Sequence, residues 1–352
     1  MSDIPELKPS FFIGKNGKDV ISFGSGQPDL PPPKEVYQIR EGAEDFKYGS
    51  VEGLKELRES LSEQYTESTP DSFIITNGAS EALDLTLRAL SDQGNKVLVP
   101  RPYYYSYPHL VELAGMEPVY TDLKDGRLDI EDIKKKIGGC VAILINSPSN
   151  PTGRVEAMDT LHEIEDLSEV HGTYIISDEV YKDIIYEREN YLVKGPKVVT
   201  VNSFSKTYSM CSDRIGYLWS RDKGLVNKVK RIKTHTSMNT SVLGQKRALA
   251  ALKADSNYVK KQLEVWFERR ELMHSTLKKM GLEAWKPEGA FYIFPQVPDT
   301  KKVVWELYSK HKVIVYRGEW FGAKDRIRLS YALDKEKIVK GLNIIGKYLN
   351  KI

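Results

Sequence analysis

Residues 198–219 read VVTVNSFSKTYSMCSDRIGYLW. The β-branched run at 198–203 and the stretch at 215–219 both read as strands, and the first is apolar on both sides of its alternation. Strands without a polar face belong to sheets covered by helices on both sides, which makes this an α/β chain with a mainly parallel sheet. Just past the first strand stand Ser203, Ser205 and Lys206, with Arg214 eight residues beyond the lysine. Ligands of open parallel sheets bind at the carboxyl ends of strands. One lysine among 52 basic residues is ordinarily a solvated charge; the company of two hydroxyls, an arginine and a strand end singles out Lys206.

Similar runs at 73–76, 97–100, 117–121, 141–146 and 174–178 complete the expected sheet, with helical periodicity between them. From about Val226 a Lys/Glu-rich texture runs through GQKRALAALKA and VKKQLEVWFERRELMHSTLKKM to Gly281, which reads as a long helix with a solvated face or a link between domains. Beyond it, AFYIFP, KVIVYRG and RIRLSYAL are strand-like. The segment FGSGQPDLPPP near the start is too rich in Gly and Pro for a regular element, and is expected to pack with the C-terminal unit. The expected layout is a large domain over 36–268, its sheet sandwiched by helices, and a small α+β domain built from 1–35 and 269–352.

A chain of 352 residues suits two domains, and 40% hydrophobic with 29% charged residues supports a packed core rather than disorder. The balance of 52 basic and 49 acidic residues leaves +3, too little for nucleic-acid binding by bulk charge. Two cysteines provide neither a disulfide framework nor a four-thiolate zinc site, and the six histidines show no ligand spacing, so no metal is expected. The absence of a long apolar stretch and of a signal-peptide layout in MSDIPELKPS leads to the expectation of a soluble cytoplasmic protein without a membrane contact.

Three further strand ends carry polar residues. FIITNGASEALDL runs from a strand through Gly78, Ala79 and Ser80 into an amphipathic helix, placing backbone N–H groups and the positive end of a helix dipole where an anion such as phosphate would sit. INSPSNPTG sets Asn146 at a strand end with Asn150 to Gly153 after it, residues that also make an ordinary turn. IISDEVYKD ends an apolar strand in Asp178 and Glu179, with Tyr181 following. RPYYYSYPHL holds four tyrosines within five positions, a pattern that by itself is an aromatic packing cluster.

With these motifs in this order, the chain resembles the class I and II aminotransferases, the fold-type I enzymes that depend on pyridoxal 5′-phosphate. The resemblance spans GQPD at Gly26 to RIRLS at Arg328, and SFSK with Arg at plus eight, preceded by NPTG and DEVY, is highly specific. It implies that Lys206 carries the cofactor and moves the reacting proton, and that Asp178 pairs with the ring nitrogen. Asn150 and Tyr181 would bond the ring 3-hydroxyl, while Tyr104 would stack on the ring. Ser203, Ser205, Arg214, Ala79 and Ser80 would hold the phosphate. Tyr48, in KYGSVEGLKELRE, matches a tyrosine that reaches the phosphate of a neighbouring subunit, which implies a homodimer with shared active sites. Arg328 would grip the substrate α-carboxylate, and Gly26 would bring backbone close to it. Arg326, on the other face of that strand, reads as a surface or domain-contact charge. Tyr107 matches a tyrosine of many relatives without a defined role.

The implied reaction passes an amino group from an L-amino acid to a 2-oxo acid by a ping-pong route, with aspartate, aromatic or broad-range substrates. A lyase or decarboxylase on the same scaffold, or a histidinol-phosphate aminotransferase, shares every motif quoted. A transcription regulator with a DNA-binding module does not fit a resemblance starting near Val20, and GSGQPD lacks the third glycine of a dinucleotide fingerprint. SMCSDRIG departs from the family pattern: Cys211, Ser212 and Asp213 stand beside the phosphate arginine where relatives usually carry small or apolar residues.

Overall fold

A computed structural model describes residues 4–15, 17, 19–255 and 257–350. Twelve strands occur among them: β1 (Ile21–Ser22), β2 (Phe73–Thr76), β3 (Lys96–Arg101), β4 (Glu117–Asp122), β5 (Ala142–Asn146), β6 (Tyr174–Asp178), β7 (Val198–Ser203), β8 (Gly216–Ser220), β9 (Tyr292–Ile293), β10 (Val313–Ile314), β11 (Tyr316–Arg317) and β12 (Ile327–Ser330). Strands β2 to β8 form one sheet in the order β2-β8-β7-β6-β5-β3-β4, in which only β8 runs against its neighbours. The fold is therefore α/β with a mainly parallel sheet between helical layers. Every residue of β6 and β7 is buried, the consequence of β-branched sequence covered on both faces.

β9, β11 and β12 make a small antiparallel sheet, and β1 pairs in parallel with β10 through Ile21 opposite Val313. The start of the chain thus holds a short strand just before the Gly/Pro-rich segment 23–33, which itself forms no helix or strand. It is tied to the C-terminal part: Phe23 and Phe12 are buried in one apolar core with Ile314, Val315 and Leu342.

Two expectations change. The long helix beyond Val226 is three helices, Lys223–His235, Val242–Leu252 and Asn257–Lys279. The breaks fall where hydroxyl and carboxylate side chains compete for the backbone: Ser241 accepts from the Gly244 N–H at 3.2 Å and Asp255 from the Asn257 N–H at 2.9 Å. The third helix keeps a solvated face through Lys260, Lys261, Glu264 and Glu268, and buries the opposite one at Trp266, Arg270, Met273 and Leu277. Arg326 is no surface charge. It is buried, donates to the Phe294 carbonyl at 2.9 Å, pairs with Glu283 at 3.1 Å and lies 4.0 Å from the Trp285 ring. Among the described residues no helix is long and apolar enough to cross a membrane, and no cluster of three metal-ligating side chains occurs.

Candidate active site

A cavity of about 710 Å³ opens at the carboxyl ends of the parallel strands. Each edge comes from a strand end whose apolar stretch has run out. β7 stops at Ser203, which caps the helical turn Phe204–Thr207 by accepting from the Ser205 N–H at 3.1 Å. Its hydroxyl also donates to the Ile215 carbonyl at 2.9 Å and meets the Ser205 hydroxyl at 2.8 Å. That turn aims Lys206 across the cavity, where Nζ donates to the Gly26 carbonyl at 2.6 Å.

Opposite lies the start of the helix Ala79–Leu90. Gly78 takes φ +77°, and a Cβ placed on it would stand 2.3 Å from Arg214 Nη2. Only glycine lets the arginine close over the helix terminus. Arg214 itself has φ +57°, and its Nη1 donates to the Cys211 carbonyl at 3.0 Å. Free helix amides, two hydroxyls and a guanidinium thus face the same corner. The corner is braced from behind by Glu81, which accepts from the Asn77 N–H at 2.6 Å and from the fully buried Lys233 at 3.0 Å.

Asp178 ends β6 almost fully buried. Burial raises its pKa from 3.8 to about 6, partly offset by a 2.6 Å hydrogen bond from the Tyr107 hydroxyl, a bond from the Val180 N–H and the Lys206 charge. Asn146 at the end of β5 donates to the Asp178 carbonyl at 2.8 Å and accepts from the Asn150 N–H at 2.8 Å, which locks the two strand ends together. Asn150 Oδ1 accepts from Arg328 Nη1 at 2.8 Å, while Arg328 Nη2 donates to the Gly24 carbonyl at 2.6 Å. The guanidinium is stacked among Tyr292, Tyr316 and Phe321 at 4.4, 5.1 and 4.8 Å, and its buried Nε has no partner among the described residues.

Of the residues singled out from sequence, Gly26, Ala79, Ser80, Tyr104, Asn150, Asp178, Tyr181, Ser203, Ser205, Lys206, Arg214 and Arg328 border this cavity, as does Cys211. Tyr48 does not: it is 85% exposed, away from the cavity of its own protomer. Sequence reasoning missed Tyr292, whose hydroxyl meets that of Tyr181 at 2.8 Å, and missed Phe12, Tyr105 and Tyr316 on the rim. It also left Tyr107 without a role, though that residue is the direct partner of Asp178.

An amine, a buried carboxyl group across the cavity and a seat for a doubly charged anion fit a phosphorylated aldehyde with a basic ring nitrogen, and the unpartnered Arg328 Nε fits a second, carboxylate-bearing ligand. This is the donor set of a pyridoxal-phosphate enzyme on an α/β scaffold. The chain belongs to the aminotransferase class I and II family, which it matches over residues 18–345. It is 35% identical over 356 residues to an aspartate aminotransferase of Thermotoga maritima, covering 96% of this chain and 93% of that one. It superposes on the aspartate aminotransferase of Thermus thermophilus with maleate at a TM-score of 0.91, with 30% identity over 97% of this chain and 94% of the other. The aromatic aminotransferase of Pyrococcus horikoshii OT3 gives 0.88, with 31% identity and coverages of 98% and 99%. The protein is accordingly a transaminase and its cofactor is pyridoxal 5′-phosphate.

Proposed function

We propose that the enzyme acts in the cytoplasm as a homodimer, each protomer having a large cofactor domain over residues 36–268 and a small domain from both chain ends, and that its donors are aspartate and aromatic amino acids. The observation that carries this reading is the convergence of Lys206, Asp178 and Arg328, from three distant stretches, on one cavity. When bound, pyridoxal phosphate supplies an aldehyde that takes up nitrogen and a cationic ring that draws electrons from the substrate Cα–H bond.

The chain's own residues then have separable tasks. The helix amides at Ala79 and Ser80, the hydroxyls of Ser203 and Ser205 and the Arg214 guanidinium hold the phosphate. Tyr48 of a second copy completes that corner; its exposure outside its own cavity supports such a reach. Asp178, ionised beside the ring nitrogen, keeps that nitrogen protonated, with Tyr107 fixing the carboxylate rotamer. Tyr104, which borders the cavity, would stack on the ring. Asn150 has its amide oxygen committed to Arg328, which leaves Nδ2 to donate to the ring 3-oxygen beside Tyr181. Arg328, which borders the cavity and has an unpartnered Nε, grips the substrate carboxylate, and Gly26 lets backbone approach the same group. This grip fixes which bond at the α-carbon faces Lys206, whose Nζ takes the proton and returns it at the neighbouring carbon.

Aromatic donors are supported by the cavity residues Phe12, Tyr105 and Tyr316, and aspartate by the similarity to aspartate aminotransferases. The test is a single half-reaction: enzyme mixed with aspartate or phenylalanine and no 2-oxo acid should convert its bound cofactor stoichiometrically to the amine form and release the matching 2-oxo acid. Release of ammonia or carbon dioxide instead would refute it.

A further inference from the structure

We propose that Tyr292 is a positioning residue with two separable parts: its ring holds the substrate-binding Arg328, and its hydroxyl directs the hydrogen of Tyr181 toward the cofactor's 3-oxygen. The proposal rests on the roles given above to Arg328 and Tyr181.

The geometry is one of double contact. Tyr292 lies on β9 opposite Ser330 of β12, so it shares a sheet face with Arg328 two residues away. Its ring lies 4.4 Å from the guanidinium carbon, and its hydroxyl is 2.8 Å from that of Tyr181, whose ring stands nearly perpendicular at 85°. The side chain is 1% exposed, and a Cβ at Gly26 would fall 2.6 Å from the Tyr292 hydroxyl. Glycine at 26 is therefore needed for the tyrosine as well as for the substrate.

Two hydroxyls in contact use one hydrogen between them. If Tyr181 donated to Tyr292, it would have nothing left to give the cofactor. With Tyr292 as donor, the Tyr181 hydrogen is free, and a hydroxyl that already accepts a hydrogen bond is the stronger donor. Burial pushes the Tyr181 hydroxyl well above its ordinary pKa, so it keeps the hydrogen it would donate. A donor at the 3-oxygen favours the cofactor form that has lost its proton, so weakening that donor raises the pH at which the visible absorbance of the lysine-bound cofactor changes.

Three variants separate the parts. In Tyr292→Phe the absorbance midpoint should rise by several tenths of a pH unit, less than in Tyr181→Phe, while KM stays within about twofold because the ring remains over Arg328. Tyr292→Leu should show the same rise and, in addition, a KM increase of about tenfold. Gly26→Ala, which displaces the hydroxyl without removing it, should also raise the midpoint, and serves if either Tyr292 variant fails to fold. A midpoint that moves in Tyr181→Phe but stays at the wild-type value in Tyr292→Phe and Gly26→Ala overturns the proposal. A midpoint unmoved in Tyr181→Phe overturns the earlier assignment of Tyr181 instead.

Discussion

Asp178 is costly to the cofactor-free protein, and that cost can be measured. Burial raises its pKa from 3.8 to about 6, so the fold holds a proton on this group over a pH range in which the unfolded chain has released it. Below about pH 4 both states are protonated and the residue is neutral in its effect. Between about pH 4 and 6 the folded state binds more protons, so stability falls as pH rises, and above 6 the full penalty is in place. A difference of about two in pKa corresponds to about 3 kcal/mol. In Asp178→Asn, the amide oxygen can still accept from the Val180 N–H, 3.2 Å away in the parent, while Nδ2 donates to the Tyr107 hydroxyl, which can rotate to accept, and no charge needs burying. The variant without cofactor should therefore be about 2–3 kcal/mol more stable than the parent at pH 8 and equal to it near pH 4, read by urea unfolding at both values. Adding pyridoxal phosphate should reverse the order at pH 8, because the parent carboxylate then gains a cationic partner. An Asn variant no more stable than the parent at pH 8 would refute the reasoning, for it would mean that the carboxylate is compensated by the protein itself.

Lys206→Ala should bind the cofactor only reversibly, without the absorbance of a lysine-bound form and without turnover; a retained band would remove Lys206 from its role. Arg328→Lys should raise KM for the amino acid by about tenfold or more with an unchanged cofactor spectrum, since an ammonium cannot reproduce the fork; an unaltered KM would count against the carboxylate grip. Gly78→Ala places a methyl 2.3 Å from Arg214 Nη2 at φ +77°, so the cofactor dissociation constant, measured by equilibrium dialysis, should rise at least about tenfold. A wild-type constant would show that the anion corner does not depend on that close approach.

The central sheet was legible because its strands are buried on both faces: runs such as YIISD and VVTVNS contain few residues that water could solvate, and no strand boundary differs from expectation by more than one residue. The same burial made the chemistry legible, since a carboxylate or lysine at the end of such a run has no ordinary reason to be there. Of the two adjacent carboxylates, the family resemblance picked out Asp178, a choice that periodicity and burial alone do not make. The alternation of the backbone sends Asp178 to Tyr107 and the cavity, whereas Glu179 turns the other way, accepting from Tyr65, Thr200 and Ser177, with burial raising its pKa to about 7. The partners that distinguish them, Tyr107 for Asp178 and Tyr65 and Thr200 for Glu179, are distant in sequence, so the composition of this stretch does not carry the distinction.

The residues that escaped share a physical cause. Tyr292 and Tyr316 lie on two-residue strands, too short for any periodicity, and reach the site only through the register of a sheet whose members are separated by loops and a helix. Phe12 arrives from a helical turn near the chain start because β1 pairs with β10, a contact between residues nearly three hundred positions apart. Local pattern therefore identified the polar groups that border the cavity at the ends of buried strands, and missed Phe12, Tyr292 and Tyr316, which depend on pairing between distant short ones. On the proposed function, substrate choice would follow the same division: Phe12, Tyr105 and Tyr316 line the cavity from outside β6 and β7, whose buried strands end at Asp178 and just before Lys206.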